Sequence, residues 1–108
     1  MQRLGGSEAD VQRVLDTLSS GKRVAILFSG PGCRACGDVK RELRPDYLGP
    51  SGTVFEASVD ENQDLAEAYR VSQTPTLVIL SPTAEIARVT SAKPADLNAA
   101  LQSASRAR

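Results

Sequence analysis

The sequence predicts one α/β domain spanning residues 1–108, and three observations carry that expectation. Val24-Ala25-Ile26-Leu27-Phe28 is a continuous apolar run, the pattern of a strand buried on both faces. Segments with apolar residues at helical spacing precede and follow it. Toward the C-terminus two strand-like segments, Thr76–Leu80 and Glu85–Thr90, are separated by the turn-forming Ser81-Pro82-Thr83-Ala84. A chain of 108 residues has room for one core and no second module, and it contains neither an internal repeat nor a low-complexity linker. The expected order is α-β-α-β-α-β-β-α.

Ser7 is placed to cap the first helix, with Asp10 three residues on in an arrangement like a capping box. Val11, Val14, Leu15 and Leu18 then form an apolar stripe, which Ser19-Ser20-Gly21 ends. Val24–Phe28 is the central strand. Gly30-Pro31-Gly32 turns the chain, and a second helix opens at the cysteines, carries Val39 and Leu43, and ends by Arg44 because Pro45 disfavours helical backbone in the residue before it. Asp46 to Gly52 reads as a loop, Thr53 to Val59 as a strand, and Asp60-Glu61-Asn62 as the lead into a short helix with Leu65, Ala66 and Tyr69. Thr76–Leu80 is a third apolar strand, and Glu85–Thr90 returns beside it as an antiparallel edge. Pro94 suits the first turn of a last helix that buries Leu97, Ala100 and Leu101, and the tail from Ser103 to Arg108 is expected to fray. Phe28, Tyr47, Phe55 and Tyr69 read as core or core-edge aromatics.

Charge excludes several function classes. Lysine plus arginine and aspartate plus glutamate number 13 each, so nothing argues for a nucleic-acid or anionic-membrane surface. No stretch approaches the roughly 18 apolar residues of a membrane span, and Met1-Gln2-Arg3-Leu4-Gly5-Gly6 lacks the apolar centre of a signal peptide. A cytoplasmic monomer is expected. With no histidine and no phosphate-cradling loop, many hydrolase and nucleotide-binding mechanisms are closed.

The chemistry concentrates in Cys33-Arg34-Ala35-Cys36, which contains both cysteines of the chain. At the first turn of a helix, residues i and i+3 share a face, so the two sulfurs can meet at disulfide distance. The first sulfur lies among unpaired N–H groups at the positive end of the helix dipole, and Arg34 adds a permanent charge beside it. Both favour the thiolate, which is the attacking species in thiol-disulfide exchange. Cys33 is therefore the expected nucleophile, and Cys36, one turn further in, the resolving thiol. In a reducing cytosol a lone CxxC means catalysis or sensing more often than a structural bridge. Two other uses compete. A structural zinc wants four ligands, which this chain supplies only if a dimer shares the metal, and the cysteines can also be two packed small residues or a disulfide without turnover. No metal and no cofactor is expected.

With Val59-Asp60-Glu61-Asn62, Leu65-Ala66 behind it, and Val71-Ser72-Gln73-Thr74-Pro75-Thr76-Leu77 ahead of the hairpin, the cysteine motif makes the chain resemble the thioredoxin-fold family over nearly its whole length. The resemblance implies a thioredoxin fold, with a central mixed β-sheet of about four strands, helices on both faces and an extra N-terminal helix. It also implies a cis Thr74–Pro75 bond beside the disulfide, with the Thr74 backbone pairing an incoming peptide like an added strand. Gly32, Arg34, Thr74 and Pro75 would then touch substrate. A cis X-Pro bond is energetically reachable, and a residue without an N–H can sit where a sulfur must approach. An ordinary turn before a strand is the alternative. The implied activity is thiol-disulfide exchange with protein disulfides or dithiols, as in electron transport and cell redox homeostasis, with a reductase or a low-molecular-weight thiol as electron donor.

The departures from the family pattern are specific. Gly32 stands where thioredoxins carry an aromatic, typically Trp, and the chain has no Trp. Leu27 stands where they carry a buried carboxylate, Glu56 where they carry a Lys on the neighbouring strand, and Arg41 where a helix-kinking Pro is usual. Losing the acid and gaining a Glu nearby makes Glu56 a candidate for a proton acceptor moved between strands, against the simpler reading of a solvated acid. Gly32 and Ala35 leave the site more open than a Trp-lidded one. Arg34, Lys40, Arg41 and Arg44 favour an acidic partner or an anionic thiol such as glutathione, unless they form a solvated helix face with intrahelical pairs to Asp38 and Glu42. Beside the oxidoreductase stand two alternatives on the same fold, a redox sensor that switches partners when the cysteines oxidise and a non-redox binding module.

Overall fold

The computed structural model describes residues 1–107 and contains β1 (Gln2–Leu4), α1 (Glu8–Ser19), β2 (Arg23–Ser29), α2 (Arg34–Glu42), β3 (Gly52–Ser58), α3 (Gln63–Ala68), β4 (Thr76–Leu80), β5 (Glu85–Thr90) and α4 (Pro94–Ser105). The strands form one mixed sheet in the order β1-β3-β2-β4-β5, with β2 parallel to β3 and antiparallel to β4. Strand alternation divides the core into two layers. Ala25 and Leu27 face α2 and α4 with Val39, Leu43, Leu97 and Leu101, whereas Val24, Ile26 and Phe28 face α1 and α3 with Val14, Phe55 and Ala66. All five residues of Val24–Phe28 are fully buried, as a continuous apolar run in the middle of a two-faced sheet requires. Burying side chains such as Leu97 and Leu101 completely contributes about 1.5–3 kcal/mol each.

The structure differs from the sequence expectations in four places. The sheet has five strands, because Gln2–Leu4 adds to the edge of β3 and buries Leu4 to 1% exposure. Three residues are too few to display alternation, and this strand exists through its partner. The apolar stripe of α1 is only partly covered: Val14 is buried, while Val11 and Leu15 remain 37% and 49% exposed because the helix meets the sheet along a narrower face. The segment read as a loop from Asp46 contains a 3-10 turn, Pro45–Leu48, which carries Leu48 into the layer under α2 and α4. The tail is tied down rather than frayed at its start. α4 continues to Ser105, Ala104 is buried, and Arg23 donates to the Ser105 and Ala107 carbonyls, while Arg108 lies outside the described residues. The Ser7 cap is formed, accepting from the Asp10 N–H at 3.1 Å.

Candidate active site

β2 runs out of the core at Ser29 and delivers the chain to Gly30-Pro31-Gly32, where Gly32 adopts φ +73°, a left-handed conformation that favours glycine. The turn closes with a Cys33 N–H to Gly30 carbonyl bond of 3.4 Å, and α2 starts at Arg34 with Cys33 as its N-cap residue. Cys33 has extended backbone there, so its side chain leaves the helix end and meets Cys36 one turn later. The two sulfurs form a disulfide of 2.08 Å with a Cα–Cα distance of 5.4 Å. Cys36 is 3% exposed and Cys33 is half-buried, so the first cysteine is the more accessible of the two. The Cys33 side chain makes no capping hydrogen bond, and the Cys36 N–H is taken by the Cys33 carbonyl at 3.3 Å.

Two other segments meet this loop. Thr74 lies against Gly30: a Cβ placed on that glycine would be 3.6 Å from Thr74 Oγ1 and 3.2 Å from Val59 Cγ2. The Thr74–Pro75 peptide is cis, Pro75 is buried, and Thr74 is half-buried at the rim. Thr76 begins β4, its hydroxyl donating to the Gln73 carbonyl at 2.6 Å and so closing the turn that contains the proline. Gly32 and Arg34 are exposed beside the disulfide, and nothing lies within 4 Å of a Cβ built on Gly32, so the place of the missing aromatic is open. Arg34 makes no ion pair among the described residues, whereas Arg41 pairs with Asp38 within α2.

Leu27 is fully buried among apolar neighbours and Glu56 is its register partner on β3, so the two side chains project to the same face, under α2. Glu56 is not the solvated acid of the simpler reading. Its side chain is only 15% exposed, its Oε2 pairs with Lys40 Nζ at 2.8 Å, and the same oxygen accepts from Ser29 Oγ at 3.2 Å. Sequence reasoning placed Lys40 on a solvated helix face and did not single out Ser29. Ser29 could have been found as a polar residue ending an otherwise apolar strand, and it is 2% exposed with Glu56 as its hydroxyl's partner. Around the far side of the loop, Asp60 follows Val59, and the Ser58 hydroxyl holds the Asp60 carboxyl below the usual carboxylate range.

Residues 14–105 match the model of a thioredoxin-like domain family. The chain is 32% identical over 81 residues to the H-type thioredoxin of Fagopyrum esculentum, an alignment covering 72% of this chain and 68% of that one. Among solved structures, the germline-specific thioredoxin Deadhead of Drosophila melanogaster superposes with a TM-score of 0.83 at 19% identity, covering 95% of this chain and 98% of that one. Fasciola hepatica thioredoxin gives 0.79 at 20% identity with the same coverage, and at these identities both show the fold alone. No helix is long and apolar enough to cross a membrane among the described residues. The chain belongs to the thioredoxin-like domain family, and with Cys33 and Cys36 paired at the N-terminus of α2 it is a thiol-disulfide oxidoreductase.

Proposed function

We propose that Cys33 is the attacking thiolate and Cys36 the resolving thiol of a single domain that exchanges disulfides with protein substrates. The observation that carries this assignment is the asymmetry of the pair, with Cys33 half-buried at the helix N-terminus and Cys36 3% exposed within it. The Cys33 thiolate attacks one sulfur of a substrate disulfide, breaking that bond and leaving the other substrate sulfur as a thiolate that takes up a proton. Cys36 gives up its proton and attacks Cys33, forming the internal disulfide and releasing the second substrate sulfur. Two electrons pass from the cysteine pair to the substrate. A reductase or low-molecular-weight thiol returns them, and run backwards the same steps oxidise a dithiol.

Gly32, Arg34, Thr74 and Pro75 form the substrate contact, a reading supported by the exposure of Gly32 and Arg34 next to the cysteines and by the packing of half-buried Thr74 on Gly30. Glu56 takes up the Cys36 proton, directly or through water, a role supported by its shielded carboxylate under the helix that carries Cys36 and by the Lys40 and Ser29 contacts that hold it. The protein works as a monomer in a reducing cytosol, a setting supported by a chain whose only cysteines form the CxxC. Insulin reduction with dithiothreitol tests the activity: wild type accelerates precipitation over the reagent alone, Cys33→Ser does not, and Cys36→Ser accumulates mixed disulfides. A wild-type rate equal to that of the reagent refutes the assignment. For Glu56→Gln, the pH profile of exchange changes shape if the carboxylate accepts the proton, and an unaltered profile removes it from the mechanism.

A further inference from the structure

Along α2 and its C-cap residue, Cys36, Val39, Lys40 and Leu43 fall at the i, i+3, i+4 and i+7 spacing of one helix face. Cys36, Val39 and Leu43 are buried, so this is the face laid on the sheet. Lys40 lies at its margin with 42% of its side chain exposed, and its ammonium reaches Glu56 Oε2 on β3 at 2.8 Å. Four residues separate Lys40 from Cys36, which puts their Cβ atoms about 5–6 Å apart, and a helical side chain leans over the turn before its own, here the turn of Cys36. The sheet gives the same placement. Glu56 Oε2 also accepts from Ser29 Oγ at 3.2 Å, and Ser29 is the last residue of β2, directly before the Gly30 whose carbonyl takes the Cys33 N–H. The carboxylate is thus held between the strand end that leads into the cysteine loop and the helix turn that follows it.

An ion pair with one half this exposed adds little stability. Its consequence is the charge that Cys36 meets. A Glu56 carboxylate alone sets a negative charge against a thiolate forming on that helix turn, and a Lys40 ammonium alone favours it. Paired, the two cancel. The other charged groups of α2, Arg34, Asp38, Arg41 and Glu42, are exposed, and Asp38 and Arg41 pair with each other. The rest of the layer packed on this helix is hydrocarbon, from Leu27 and Leu77 on the strands and Leu97 and Leu101 on α4. Asp60, beyond the end of β3, is exposed and bound by the Ser58 hydroxyl.

We infer that Lys40 is a positioning residue of the exchange reaction: it draws the Glu56 carboxylate into a neutral pair at the turn of Cys36, so that the Cys36 thiolate forms without an unbalanced negative charge facing it. The use of that thiolate in turnover rests on the resolving role proposed above, but the acidity of Cys36 does not. In a Cys33→Ser background Cys36 is the only cysteine left, and its 13Cβ resonance in a 13C-cysteine-labelled sample reports ionisation of that one thiol, its proton passing to water, with no reagent needing access. Lys40→Met lowers the acid dissociation constant about threefold and Glu56→Gln raises it about threefold, the effect of a screened unit charge about one helical turn away. The double variant Lys40→Met/Glu56→Gln returns it to within about twofold of the background, Lys40→Arg leaves it unchanged, and added salt shrinks the contrast. A merely structural tie predicts otherwise, since both single variants break the same contact and move Cys36 the same way. Shifts of one sign, no shift in Lys40→Met, or a double variant in which the single effects add rather than cancel each overturn the inference. Insulin reduction by the wild type is read separately, so loss of the exchange reading and loss of the charge pairing are distinguishable.

Discussion

Reducing the Cys33–Cys36 bond perturbs stability in two opposing ways, and the larger of the two sets the sign of their difference. The disulfide closes a ring across a sequence separation of only three. In the chain-entropy model, so short a loop constrains the unfolded chain by about 1.5–2 kcal/mol. The reduced form recovers part of this, because the Cys33 thiolate gains the N-terminal end of α2, an interaction of about 0.3–1 kcal/mol. The oxidised protein is therefore the more stable form by about 1 kcal/mol. For a domain of this size that is a Tm difference of about 4–8 °C. By the thermodynamic cycle it also makes the pair about 20 mV more reducing than an unfolded CxxC peptide. Urea unfolding of both redox forms, with glutathione equilibration of the folded protein, measures each quantity. A reduced form more stable than the oxidised one would refute the reasoning and place the protein on the oxidant side.

Four further outcomes follow from particular positions. Asn98→Ala removes the side chain that splints the end of α2, accepting from the Arg44 N–H at 2.7 Å and donating to the Glu42 carbonyl at 3.0 Å; the urea midpoint should drop by the equivalent of about 1–3 kcal/mol, and less for Asn98→Asp, which keeps the acceptor. The Asp10 carboxyl is held below the usual range by the Gly5 N–H first and by Arg13 and Ser7, so its contribution is present above that range and is lost as pH falls through the folded value; Asp10→Asn should flatten the decline of Tm below about pH 4. Gly32→Ala meets no neighbour but is strained at φ +73° and should cost about 1 kcal/mol, while Gly30→Ala crowds Val59 and Thr74 and should slow insulin reduction more than it lowers Tm.

What was legible in the sequence was whatever a single segment encodes by itself. Val24–Phe28 is buried on both faces and reads as such, because every position is apolar, and Cys33 and Cys36 need only a helix start to meet. β1 was not legible, since Gln2–Leu4 gains its strand character from the edge of β3 rather than from a pattern of its own. The exposed Val11 and Leu15 sit at the right spacing for a core face, and only the angle at which α1 lies on the sheet decides that Val14 is covered and they are not. The same limit governed the site. Counting along β3 reached Glu56, but whether that carboxylate is solvated depends on Lys40 one helix away and Ser29 one strand away, two residues that no local pattern joins to it. The consequence is electrostatic. On the face of the sheet under α2, Leu27 contributes hydrocarbon and its neighbour on β3 contributes a carboxylate already paired with an ammonium from α2, so charge on this face comes as a pair from two elements. The Lys40 half of that pair and Cys36 therefore share one helix as their support.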